Sequence, residues 1–327
     1  MSASHRRAAV SGALSIAVAL SAAACGDSDD KKSATGLEKS TVTIGTMTIA
    51  DTAPLQLAIS KGLFKAEGLE VKTRVVSGGA EAIPLLKSGQ LNITFGNYVS
   101  LLTAASKDPG FKPKVIAEGF QSASKTHTVM VRKDSPIHTV KDLQGKKIGV
   151  NTRRNISTLL IRAAGKPQGV DFDEEKNFVE IPPPGMEAAL KSGSVDAVQA
   201  IEPFGTQMQQ AIGARMVADL SSGPTADFPI AGYASTEAFA GKNPKTIAAF
   251  QRALIKADNM AADRKVVQDI LPSYAKGIDA KVASTMSYGS YPTSLSATRL
   301  QRVADVMQQF QYVPQRVDVK PLLQPGS

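Results

Sequence analysis

Side chains able to do covalent or metal chemistry are sparse in this chain of 327 residues, which holds three His, one Cys and no Trp. His5 lies near the N-terminus, and His127 and His138 have no second His or Cys at ligand spacing. A single Cys excludes an internal disulfide and a Cys-rich zinc site. No G-x-x-x-x-G-K-S/T loop, G-x-G-x-x-G turn, G-x-S-x-G elbow or H-E-x-x-H helix occurs, and no close carboxylate pair stands out for acid–base work. The expectation is a protein that is not an enzyme, with no catalytic residues, metal or cofactor.

What recurs is small polar residues directly after strand-like segments. In the first half these are Thr46-Met47-Thr48-Ile49-Ala50-Asp51, Ser77-Gly78-Gly79 and Gly96-Asn97-Tyr98. In the second half they are Asn151-Thr152-Arg153-Arg154-Asn155, Pro182-Pro183-Pro184-Gly185 and Glu202-Pro203-Phe204. Each loop alone is an ordinary turn or N-cap. In an open α/β sheet, however, such loops lie beyond the carboxyl ends of the strands, where helix N-termini offer free N–H groups. Six of them converging on one cleft make a binding site for a small molecule. The expected ligand-binding set is Thr46, Thr48, Asp51, Ser77, Gly78, Gly79, Gly96, Asn97, Tyr98, Asn151, Thr152, Arg153, Arg154 and Glu202. One of Arg153 and Arg154 offers a guanidinium to an anion, with the other facing solvent. Asp51 and Glu202 suit an amine or a heterocycle instead, and Tyr98 and Phe204 are candidate stacking partners.

The elements that must carry these loops alternate. Thr41–Met47, Glu70–Ser77, Leu91–Phe95 and Lys114–Glu118 read as strands, with helices at Pro54–Lys65, Ala80–Ser88 and Tyr98–Lys107. Pro84 should kink the second helix or lie in its first turn. The alternation restarts with strands at Lys147–Asn151, Phe178–Ile181, Val195–Ile201 and Arg215–Leu220, and helices at Asn155–Ala164, Gly185–Ser192 and Phe204–Ile212. Ile44-Gly45-x-x-Thr48 recurs as Ile148-Gly149-x-x-Thr152, and Leu86-Lys87-Ser88-Gly89 as Leu190-Lys191-Ser192-Gly193, both at an offset of 104 residues. Two related lobes follow, each an open, mostly parallel sheet. Thr126–Arg132 and Phe228–Ser235 read as strands linking them, a two-strand hinge. The apolar steps Ile247, Phe250, Leu254, Ala257, Ala261 and Leu300, Val303, Met307, Phe310 are helical. The lobes expected are 41–125 plus 236–327, and 133–227, with hinge strands at 126–132 and 228–235.

The N-terminus reads as an export signal. Arg6 and Arg7 precede an uncharged stretch from Ala8 to Ala24, and Cys25 follows three alanines. The spacing resembles a bacterial lipobox, which implies lipidation at Cys25; ordinary cleavage after Ala24 is the alternative. Residues 1–24 are then signal, and residues 25–40, with Leu37 their one large apolar residue, a lipidated flexible tether. Loss of Arg6 and Arg7 takes the formal charge from +9 to +7. The remaining basic residues are diffuse and lack the aromatic interleaving of a single-strand binder, so no nucleic acid partner is expected.

The stretch Leu57 to Val71 (Leu-Ala-Ile-Ser-Lys-Gly-Leu-Phe-Lys-Ala-Glu-Gly-Leu-Glu-Val), Ser77-Gly78-Gly79, Leu86 to Asn92, Val140 to Gly149, Ser194-Val195-Asp196-Ala197 and Glu202-Pro203-Phe204 resembles the nitrate/sulfonate/taurine-type solute-binding proteins of ABC importers. That resemblance runs from about Thr41 to Phe310. It implies a two-lobed, type II periplasmic-binding-protein-like α/β fold that closes on a small ligand, acts as a monomer, and has an ABC permease and its ATPase as partners. It implies work on the extracytoplasmic face of the cell membrane. The ligand expected is a small sulfonate- or nitrate-like anion, with a pyrimidine thiamine precursor as the alternative, and less favoured, a secreted enzyme on the same fold.

Overall fold

The computed structural model describes residues 36–325. The expected signal, Cys25 and the tether as far as residue 35 lie outside the described residues. From there the chain runs β1 (Thr41–Thr46), α1 (Ala53–Ser60), α2 (Leu63–Ala66), β2 (Glu70–Val75), α3 (Gly79–Lys87), β3 (Ile93–Asn97), α4 (Tyr98–Lys107) and β4 (Pro113–Gln121). A second series follows: β5 (His127–Val131), β6 (Ile148–Val150), α5 (Ile156–Gly165), β7 (Phe178–Glu180), α6 (Met186–Ser192), β8 (Ala197–Ile201), α7 (Phe204–Ile212) and β9 (Arg215–Asp219). The chain ends in β10 (Pro229–Thr236), α8 (Glu237–Lys242), α9 (Pro244–Ala261), α10 (Arg264–Tyr274), α11 (Ala280–Thr285) and α12 (Ala297–Gln309).

These strands form two five-stranded sheets, ordered β2-β1-β3-β10-β4 and β7-β6-β8-β5-β9. The central strands are buried on both faces; Ile44, Ile93, Val131, Ile148 and Val198 are fully buried. Fully burying each such side chain contributes about 1.5–3 kcal/mol. The edge strand β2 shows the opposite pattern: Glu70, Lys72 and Arg74 are charged, which blocks pairing with another chain.

The repeat at 104 residues has a structural cause. Ile44 and Gly45 pair with Ile93 and Thr94, and Ile148 and Gly149 pair with Ala197 and Val198, so both partners shift by the same offset. At Gly45 a Cβ would sit 2.6 Å from Thr94 Oγ1 and 2.7 Å from a Leu91 methyl. The glycine permits the close approach of β1 to β3. Gly149, whose Cβ would lie 3.1 Å from a Val198 methyl, does the same in the second sheet.

Several expectations need correction. Strands 126–132 and 228–235 do not span the gap: β5 is the fourth strand of the second sheet and β10 the fourth strand of the first, both antiparallel to their neighbours. The chain crosses between sheets in the short stretches 122–126 and 220–228. Each lobe's sheet is completed by the strand beside a crossing, because a buried strand must satisfy its backbone groups within one sheet. The expected helix Pro54–Lys65 breaks at Gly62, which takes φ +68° and turns α1 into α2. Pro84 lies inside α3, and Ser88 N–H still reaches Pro84 O at 3.0 Å.

The tether also ends earlier than Ser40. Leu37 is buried, and the Glu38 carboxylate accepts from Thr246 N–H (3.0 Å), Lys245 N–H (3.2 Å) and Thr246 Oγ1 (3.2 Å). It satisfies the first turn of α9, whose own N-cap residue Asn243 makes no side-chain cap bond. α9 packs on α1 and α2 of the first lobe, and α12 on α4 and β10.

Candidate functional site

The loops at the carboxyl ends of the strands meet across the gap between the lobes. Met47, Thr48 and Ile49 after β1, Val75, Val76 and Ser77 after β2, and Glu81 of α3 form one wall of a cavity of about 280 Å³. Pro182, Pro183 and Pro184 after β7, with Phe204 at the start of α7, form the other. Rigid proline backbone and an aromatic ring make the second wall flat and apolar. Val75 is 61% exposed here, unusual for a large hydrophobic side chain.

The lobes also touch directly. Ala50 N–H donates to Glu202 O (3.2 Å), Ser287 N–H to Glu202 Oε1 (3.3 Å), and Gln210 Nε2 to Thr285 Oγ1 (2.9 Å). A Cβ on Gly78 would come within 2.8 Å of Thr152 Oγ1 and 3.3 Å of Asn151 Nδ2. The gap is therefore narrow, and Gly78 is the residue that lets the two loops approach.

Of the expected site residues, Thr48 and Ser77 line the cavity, and Gly78, Asn151 and Thr152 meet at its edge. Thr46 is buried at the end of β1, and its hydroxyl leans on Met47 O at 3.4 Å. Gly79 is a packing glycine, since a Cβ there would strike Ser100 at 2.5 Å. Gly96 opens onto free space, and Asn97 caps α4 by accepting from Ser100 N–H at 2.8 Å. Tyr98 points into the first lobe with its hydroxyl against Gly232, away from a stacking position. Asn151 Oδ1 accepts from Asn155 Nδ2 and Ser157 Oγ, both at 2.8 Å, which fixes the loop before α5.

The two arginines are engaged on the second lobe. Arg153 N–H donates to Glu180 Oε1 (2.8 Å) and its guanidinium pairs with Glu175. Arg154 N–H donates to Glu174 Oε2 (3.1 Å), its φ is +50°, and its side chain is exposed. Neither lines the cavity; Glu81 is the one charged residue that does, and it accepts from Ser77 N–H (3.0 Å) and Oγ (3.1 Å).

Acidic groups gather behind the cavity. Glu202 is buried and holds the first turn of α7, accepting from Thr206 N–H (3.1 Å) and Oγ1 (2.9 Å). Burial pushes its carboxyl above the ordinary range against the pull of those bonds. Burial pushes Asp51 up to about 7. The two carbonyls just before Asp51 take Tyr274 OH at Ile49 O (3.0 Å) and Tyr291 OH at Ala50 O (2.8 Å). Among the described residues no group of three or more His, Cys, Asp or Glu could hold a metal ion, and no helix is long and apolar enough to cross a membrane.

The C-terminal segment contributes to the site in a way the sequence pattern does not signal. Ser287, Tyr274 and Tyr291 brace the β1 loop and Glu202 from outside either repeat. Tyr312, beyond α12, donates to Glu174 Oε1 (2.6 Å) and lies 2.6 Å from Thr158 Oγ1, while Arg162 stacks on its ring. Glu174 also holds Arg154 N–H, so a tail residue supports the 151–155 loop of the other lobe. Helical periodicity carries no sign of such contacts.

The family profile described as NMT1/THI5 like matches residues 49–265. A nitrate import ATP-binding protein, NrtC of Synechocystis, is 27% identical over 252 residues, 72% of this chain. The chain spans only 37% of that protein's length. A Brucella abortus protein described as a binding protein is 28% identical over 262 residues, 76% of each chain. The alkanesulfonate-binding protein SsuA of Xanthomonas axonopodis, solved bound to MOPS, shares the fold with a TM-score of 0.74 and 19% identity, over 88% of this chain and 98% of that one. The chain belongs to the NMT1/THI5-like family.

Proposed function

We propose that this protein is the extracytoplasmic solute-binding component of an ABC importer, anchored through lipid on Cys25. It captures one small ligand between its lobes as a monomer and delivers it to a permease and its ATPase. A ligand with better contacts to the closed state shifts the lobes toward closure, and closure is what a permease reads. Family membership and the interlobe cavity support this role.

The ligand we propose is small and carries no net negative charge, of the aminopyrimidine class. The observation behind it is the cavity's lining: flat Pro182–Pro184 and Phe204 against Thr48 and Ser77, with Glu81 the one charged group and Glu202 close by. A buried anion without a cation partner would be strongly disfavoured there. A second reading, a nitrate- or sulfonate-like anion, draws on the relatives' names and on Arg153. Its pair with Glu175 is partly exposed and contributes under about 1 kcal/mol, so an anion could recruit the guanidinium at little cost. Calorimetric titration with an aminopyrimidine, taurine, an alkanesulfonate and nitrate separates the two. The first reading predicts one saturable pyrimidine site that Arg153→Gln leaves unchanged. Binding of an anion alone, lost in Arg153→Gln, defeats it in favour of the second.

A further inference from the structure

A second cavity, of about 300 Å³, sits on the first lobe away from the cleft, between β4, one face of α9 and the loop 292–295. It shares no lining residue with the cleft cavity. Gln251, Ile255 and Asp258 reach it from one stripe of α9, spaced four and three residues apart. Asp258 is 2% exposed, and neither of its carboxylate oxygens has a hydrogen-bond partner. Its acidic neighbour in the lining, Glu118, is fully engaged: it pairs with Arg299 and accepts from Ser296 N–H at 2.7 Å. A buried carboxyl with no donor is costly and rare, and its unmet need is for N–H groups, best on a cation. Only two large hydrophobic side chains are exposed among the described residues: Val75, in the cleft cavity, and Ile255, in this one. Ile255 and Leu295 thus supply an apolar wall near an unpaired acid.

We propose that this pocket is a second binding site, independent of the cleft, for a small primary alkylammonium ion. The ammonium meets Asp258 and the alkyl chain lies along Ile255 and Leu295. The site does not depend on the ligand assigned to the cleft. The test is calorimetric titration of the full mature protein with n-butylammonium, methylammonium and n-butanol. The proposal predicts saturable one-to-one binding of n-butylammonium, with n-butanol about tenfold weaker or worse, and a similar loss in Asp258→Asn. The surface substitution Ile255→Ser, which spares the core, should weaken n-butylammonium and leave methylammonium nearly unchanged. No saturable binding, equal binding of n-butanol, or indifference to both substitutions overturns it and leaves Asp258 a protonated core acid.

Discussion

Buried titratable residues set how this molecule responds to pH. Burial raises Asp51 to about 7 and lifts Glu118, Glu202 and Asp258 above the ordinary carboxyl range. Each binds a proton more readily in the folded chain than in the unfolded one. The stability each contributes is present below the ordinary carboxyl range and is lost as pH rises through the folded value. His127 works the other way: burial lowers it from 6.5 to about 4, so its contribution holds above 6.5 and is lost as pH falls toward 4. Above pH 6.5 the carboxyls act alone, and thermal stability should fall on going to pH 8. Asp51→Asn should flatten that fall, by up to about 1.4 kcal/mol per pH unit below pH 7. Calorimetric melting at half-unit steps checks it; an unchanged slope would count against burial as the cause. Of these residues, Asp51 and Glu202 stood out in the sequence by their place after strands. Asp258 did not, because it falls on the apolar stripe of α9, where only the fold reveals an unpaired acid.

Among the elements, the approach of the β2–α3 loop to the β6–α5 loop governs how far the lobes close. Gly78→Ala would bring a methyl group within 2.8 Å of Thr152 Oγ1. We expect it to weaken cleft binding about tenfold, a loss near 1.4 kcal/mol, by opposing closure rather than by removing a contact. Adding Thr152→Ala should restore the compact radius of gyration seen by small-angle scattering with ligand. If Gly78→Ala closes and binds normally, the loops do not limit closure. Most of these elements could be read in advance from strand-like runs, helix periods and the repeat. α4 and α7 fall on their expected bounds. α10 has a legible apolar stripe in Val267, Ile270, Leu271 and Tyr274 and α11 is only six residues long, and Asp263 and Asp279 at their N-caps are the sequence signals for both. Which sheet β5 and β10 join is not legible in advance, because a buried strand has the same pattern whichever sheet it completes.

For the whole molecule, two repeats share one cleft, and a C-terminal segment braces both. That brace couples the lobes through Ser287 and Tyr312, at points no repeat predicts, while Tyr291 steadies the β1 loop within the first lobe. The lipid anchor proposed at Cys25 is tested at the same scale. Replacing Cys25 with Ser should release the protein from the membrane fraction on cell fractionation, and unchanged association would defeat lipidation there.

The most direct test of the cleft exploits the absence of tryptophan. Phe204→Trp places a single indole in the cavity wall, so its fluorescence reports occupancy of that site alone. Titrated with an aminopyrimidine, this variant should show a saturable change that nitrate and alkanesulfonates neither produce nor compete with. A change driven only by an anion would contradict the charge we assign to the ligand. A ligand that stabilises the protein yet leaves the indole silent would contradict the cleft itself.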